Sequence, residues 1–165
     1  KSTGEVMGID STFGVAYAKS QIAAGQILPK KGNVFISVKN QDKRNIVFIA
    51  KKLADLGFKI MATSGTAETL MRNDIEVEIL PKLHEGRPNI IDLIKDGKVD
   101  LIINTPAGKA TKEDEAKIRA HAILYSVPLI TTVAGAQASV NGIENLIKRP
   151  KVSVKSLQEY HKQIQ

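Results

Sequence analysis

From residue 33 onward, short apolar runs alternate with longer stretches in which apolar positions return every three or four residues. Runs that are apolar throughout fit buried strands, and the three-to-four spacing fits amphipathic helices. Strands are predicted over 33–38 (NVFISV), 59–63 (KIMAT), 77–80 (VEIL), 99–105 (VDLIINT) and 128–132 (PLITT). Between them, 42–56 places Ile46, Ile49, Ala50, Leu53 and Leu56 on one helical side, with Gly57 as its stop. Further helices are predicted over 65–73, 89–97, 113–125 and 134–148, with Pro88 opening the second of these. The tail offers a β-like VSV at 152–154, then a helix whose Ser156 and Glu159 fit a capping box.

The first 32 residues break this rhythm. KSTGEVMGIDST is polar and glycine-bearing, and FGVAYAKSQIAAG forms one short amphipathic helix with Phe13, Ala16, Tyr17 and Ile22 toward one side. PKKG reads as a linker. This region is expected to be the end of something larger or a helix on the outside of the main domain.

Strands apolar on both faces, separated by helices, define an α/β layered domain with a mainly parallel sheet. In such folds ligands collect outside the carboxyl ends of the strands. Those ends carry Lys39, Asp42 and Lys43; then Ser64, Gly65 and Thr66; then Pro81, Lys82, Leu83 and His84; then Pro106, Ala107, Gly108 and Lys109. Hydroxyls, an Asn amide, lysines and the exposed amides of a helix N-terminus suit a phosphate group. Thr63 and Thr66 can donate to phosphoryl oxygens, Gly65 lets backbone approach, and Lys43 and Lys82 supply charge. The same Ser and Thr residues also read as ordinary helix caps. Neither GxxxxGK[ST] nor GxGxxG is present.

Composition narrows the chemistry. Cys is absent, which removes disulfides and thiolate nucleophiles and fits a cytoplasmic protein. No apolar run approaches the ~20 residues of a membrane span. The net charge of +7 permits anionic partners, but the basic residues are scattered and aromatics are only 4%, so nucleic acid is not expected. Three separated His residues give no metal-ligand spacing. His84 is the best-placed candidate base, but a structural or contact role is the expectation; Ser37 lacks a His–Asp partnership. No catalytic residue and no metal site are assigned. In the loop HEGRPNI, Arg87 can grip a carboxylate or phosphate, or be held internally by Glu85.

GEVMG at 4–8, SVKNQDK at 37–43, ATSGTA at 62–67, KLHEGRPNI at 82–90 and LIINTP at 101–106 together resemble the C-terminal allosteric domain of the large subunit of carbamoyl phosphate synthetase. The resemblance covers nearly the whole chain. It implies a three-layer α/β/α, methylglyoxal-synthase-like fold with a five-stranded parallel sheet over 33–165, and residues 1–32 as the tail and linker of a preceding synthetase unit. It implies a regulator that is not itself catalytic, within a cytoplasmic ligase making carbamoyl phosphate from glutamine and bicarbonate. Upstream units would use ATP with Mg or Mn, a separate small subunit would hydrolyse glutamine, and this stretch would need no cofactor. UMP and IMP are the implied effectors. Their phosphate falls on Lys43, Thr63, Thr66, Lys82, Asn104 and Thr105, with Ser37 adjacent and the base and sugar toward Leu83, Ile90 and Ile118. Thr131 matches a threonine of the family's ornithine region.

Three positions depart from the enteric form of that pattern. Ser64 replaces a histidine, Pro106 a threonine, and Leu129 an ornithine-contacting tyrosine. The phosphate grip is expected to persist, and the departures fall on effector choice and ornithine activation. The aspartate-bearing segment of methylglyoxal synthases is not seen in KLHEGRP. A docking module without effector binding and a small phosphate-handling enzyme remain the alternative readings.

Overall fold

The computed structural model describes residues 4–106, 112–148 and 154–162. Among them run α1 (Phe13–Ala23), β1 (Asn33–Ser37), a 3-10 turn (Asn40–Asp42), α2 (Lys43–Asp55), β2 (Lys59–Thr63) and α3 (Ser64–Met71). Next come β3 (Val77–Leu80), α4 (Ile90–Lys95), β4 (Leu101–Asn104), α5 (Lys112–Leu124), β5 (Leu129–Ile130), α6 (Val133–Lys148) and α7 (Leu157–Lys162). All four strand pairings are parallel, in the order β3-β2-β1-β4-β5. The chain builds outward from β1 to β3, then returns to the other side of β1 with β4, which creates a switch point between β1 and β4.

Side chains of successive strand residues point to opposite faces, so the sheet is covered on both. One core gathers Val34 and Ile36 of β1 with Ile46, Ile49 and Leu53 of α2 and Val140 and Ile143 of α6. The other gathers Phe35, Met61 and Ile102 with Ile90 and Ile94 of α4 and Ile118 of α5. Three layers result. Lys52 joins α2 to α6 through Glu144 at 2.5 Å and Asn141 at 3.0 Å.

Of the apolar stripe expected on α1, Tyr17 packs against the core, but Phe13 and Ile22 do not face inward. Phe13 is 70% and Ile22 43% exposed, while Gly14 and Ala18 are buried against α6. A Cβ on Gly14 would lie 2.9 Å from Asn145 Nδ2 and 3.0 Å from the Asn141 carbonyl oxygen. Small residues let the two helix backbones approach, and that closeness leaves the bulky residues at the rim. Residue 8 is tighter still, since a Cβ there would overlap the Ala16 carbonyl oxygen at 2.0 Å. Lys19 then binds the Asp10 carboxylate at 2.7 Å, the Ile9 carbonyl at 3.0 Å and the Tyr160 hydroxyl oxygen at 3.1 Å, tying the first residues to α7.

Two local expectations change. Pro88 does not open α4; Asn89 caps it, its side chain accepting the Ile91 N–H while Asp92 accepts the Asn89 N–H. Arg87 pairs with Asp92 across that first turn rather than with Glu85. The capping box at Ser156 and Glu159 is present, whereas 152–154 falls mostly outside the described residues and Val154 is not in a strand.

Candidate functional site at the carboxyl ends of the strands

A cavity of about 570 Å³ opens at the carboxyl ends of β1, β2, β3 and β4. Its floor is the switch point, where Ser37 of β1 pairs with Asn104 of β4. Hydroxyls hold these strand ends together. Thr105 accepts the Lys39 N–H at 3.1 Å and donates its own N–H to the Ser37 carbonyl at 3.1 Å. Thr66, reaching over from α3, accepts the Val38 N–H at 3.3 Å. Ser37 and Thr63 share a hydroxyl contact of 3.2 Å. Thr66 and Thr105 are only 2% and 3% exposed, and each uses its oxygen as acceptor. Among the described residues no acceptor takes their hydroxyl protons, which can then donate.

The start of α3 adds donors. Thr63 stands at the N-cap position but makes no side-chain cap. The first N–H groups of a helix have no partner within it, so the amides of residues 64–66 keep their hydrogen-bonding capacity. Capping therefore does not account for Thr63 in this strand-to-helix turn. Asn104 is 9% exposed and its amide makes no hydrogen bond among the described residues, yet it lines the cavity.

Lys43 completes this end. It is the first residue of α2, and a Cβ on Gly65 would lie 3.2 Å from its ammonium. A cation is thus held at the positive ends of two helices, where the macrodipole disfavours it. Among the described residues Lys43 has no ion-pair partner. Lys82, on the opposite lip, pairs with Glu85 at 3.3 Å.

The lining also includes the apolar Phe35, Leu83, Ile90 and Ile118, and the acidic Asp114 and Glu115 in the first turn of α5. His84 Nδ1 lies 3.5 Å from Asp114 Oδ2, joining the β3–α4 loop to α5. Among the described residues no group of three His, Asp or Glu could hold a metal ion, and no helix is long and apolar enough to cross a membrane.

Fourteen residues singled out from sequence line this one cavity: Ser37, Lys39, Lys43, Thr63, Ser64, Gly65, Thr66, Pro81, Lys82, Leu83, Ile90, Asn104, Thr105 and Ile118. Thr131 does not; it is exposed beyond β5. Lys109 lies outside the described residues. Sequence reasoning missed Phe35, Val38, Asn40, Gln41, Asp114 and Glu115. The acidic run 113–115 was the available signal for the last two, but acids in a helix's first turn also simply complement its dipole.

A parallel three-layer domain with a cleft of hydroxyls, an amide and two lysines at its switch point is the class that fold and site define. The family described as the MGS-like domain matches residues 45–131, and the chain belongs to it. Nearly the whole chain is similar to carbamoyl phosphate synthase large chains. It is 52% identical over 164 residues to that of Archaeoglobus fulgidus, covering 99% of this chain and 15% of the relative. It is 53% identical over 163 residues to the large chain's C-terminal section in Methanopyrus kandleri, covering 98% of this chain and 30% of that one. The chain thus spans less than a third of the length of either relative. The crystal structure of methylglyoxal synthase from Elizabethkingia anophelis NUHP1 superposes with a TM-score of 0.58 over 82% of this chain and 93% of that one. At 16% identity this likeness concerns the fold alone.

Proposed function

We propose that this chain is the regulatory domain of a glutamine-hydrolysing carbamoyl phosphate synthase large chain, and that its strand-end cavity binds a nucleoside monophosphate, UMP or IMP. The observation that carries this reading is Lys43, a cation without an ion-pair partner among the described residues and set against two helix N-termini. A phosphate monoester carries about −1.5 to −2 charges at neutral pH and would turn that arrangement from adverse to favourable. The hydroxyls of Thr63, Thr66 and Thr105, the Asn104 amide and the α3 amides would donate to its oxygens. Ser37 holds Thr63 in place. Leu83, Ile90 and Ile118 line the cavity and would form the apolar wall for base and sugar, where Asp114 would accept hydrogen bonds from sugar hydroxyls.

In this reading the domain itself carries out no chemistry. ATP and its divalent metal belong to synthetase units elsewhere in the large chain, and glutamine hydrolysis to a small partner subunit, all in the cytoplasm. Regulation requires that nucleotide bind two global states of the enzyme unequally. Thr131, set apart from the cavity, would serve a separate ornithine region shared with the synthetase unit.

Calorimetric titration of the chain with UMP and IMP tests the reading. Saturable one-site binding that weakens with added salt is expected, since the site attracts an anion. No saturable binding of either nucleotide by folded protein would overturn it.

A further inference from the structure

The two lysines of the cavity are in different states. Lys43 has no ion-pair partner among the described residues, whereas Lys82 is held by its own loop. Glu85 folds back on it: its Oε2 accepts the Lys82 N–H at 2.9 Å, and its Oε1 lies 3.3 Å from the Lys82 ammonium. The Glu85 N–H in turn donates to the Lys82 carbonyl at 2.9 Å. The Lys82 backbone hydrogen bond holds the Glu85 carboxyl below the usual carboxylate range. Through His84 and Asp114 the same loop also touches α5 across the cavity mouth.

We propose that Glu85 is an intramolecular stand-in for the ligand's anion, holding Lys82 while the cavity is empty and releasing it when phosphate enters. This rests on the nucleotide reading above and deepens it. Glu85 would then be a positioning residue that sets affinity, by a competition between one fixed carboxylate and an incoming phosphate for one ammonium. Because the backbone turn between Lys82 and Glu85 holds the loop, rotation of the Lys82 side chain is enough for its release. Lys43 is the permanent anchor and Lys82 the conditional one.

The test is a double-mutant cycle read by calorimetric titration of UMP into wild type, Glu85→Gln, Lys82→Ala and the double variant. Gln keeps an oxygen to accept the Lys82 N–H, so the turn survives while the charge is lost. An exposed ion pair is weak, so Glu85→Gln is expected to tighten UMP binding by about two- to fivefold. Glu78→Gln, the same charge change on exposed β3 outside the cavity, should give less. In the Lys82→Ala background the gain should vanish, and Lys82→Ala should cost more affinity when Glu85 is already Gln. A gain that persists without Lys82, or no gain with Lys82 present, removes the role assigned to Glu85 and leaves the nucleotide site standing. Failure of wild type to bind UMP or IMP removes both.

Discussion

Lys43→Ala should move stability and binding in opposite directions. The ammonium sits at the start of α2 and over the start of α3, so the empty protein carries two adverse charge–dipole interactions. Each is worth about 0.3–1 kcal/mol at low ionic strength. The side chain is half-exposed, so solvent screening and loss of its packed methylenes bring the expected net gain on removal to about 0.5–1 kcal/mol. For a domain of this size that is roughly 1–4 °C in Tm. In the proposed complex the same residue would make a charge-assisted contact worth about 1.5–3 kcal/mol. Its removal should therefore weaken UMP binding by roughly ten- to 150-fold. Ligand stabilises the folded state according to its concentration over Kd, so saturating UMP should raise the wild-type Tm more than the variant's. The assay is a pair of thermal melts at low salt, with and without UMP, in which the order of the two proteins inverts. A variant that melts lower than wild type without ligand, and shows the same shift with UMP, would refute the reasoning and make Lys43 a structural residue.

Gly65→Ala gives α3 a better helix former, by up to about 1 kcal/mol, but puts a methyl 3.2 Å from the Lys43 ammonium; melts should show equal or higher stability while titration shows weaker UMP binding. Gly14→Ala forces a methyl against Asn141 and Asn145 of α6 and should cost about 1–3 kcal/mol in urea unfolding, with faster proteolysis within 4–32; unchanged protection would mean that α1 docks otherwise. Acid stability should depend on Glu144, held by Lys148 first and then Lys52 at a pKa of about 2 against an ordinary 4.5, and on Asp92, held by Arg87 first and then the Asn89 N–H at about 2 against 3.8. Because these folded-state values are depressed, their stabilisation is full above about pH 4.5 and is lost as pH falls toward 2; Glu144→Gln should flatten the fall of Tm across that window.

The central strands were legible because Val34 to Ile36, Ile60 to Ala62 and Leu101 to Ile103 are apolar without interruption, a pattern that burial on both faces explains, while edge strand β3 carries exposed Glu78 and Ile79. The side of α2 was legible from Ile46, Ile49, Ala50 and Leu53, which are all buried. The docking of α1 was legible only at Tyr17, because the closest contact is made by Gly14 and Ala18, residues that carry almost no hydrophobic signal, while Phe13 and Ile22 point to the rim. At the site, Thr63, Thr66, Asn104 and Thr105 are legible because each lies at or just beyond the carboxyl end of a strand, where a parallel sheet gathers its polar groups. Asp114 is not, because its place beside the cavity depends on how α5 lies over the sheet, and its pairing with His84 joins segments distant in sequence. The state of Lys82 is equally hidden: sequence offers Glu85 as a partner for Arg87, and the turn geometry directs it instead toward Lys82.

Amide chemical shifts measured during a UMP titration test the central claim most directly. If the phosphate rests on the uncapped start of α3, the N–H resonances of Ser64, Gly65 and Thr66 should show the largest downfield shifts, and Asn104 side-chain signals should move with the same apparent Kd. Saturable binding whose shifts cluster elsewhere, around Thr131 or α7, with residues 64–66 unmoved, would contradict the account.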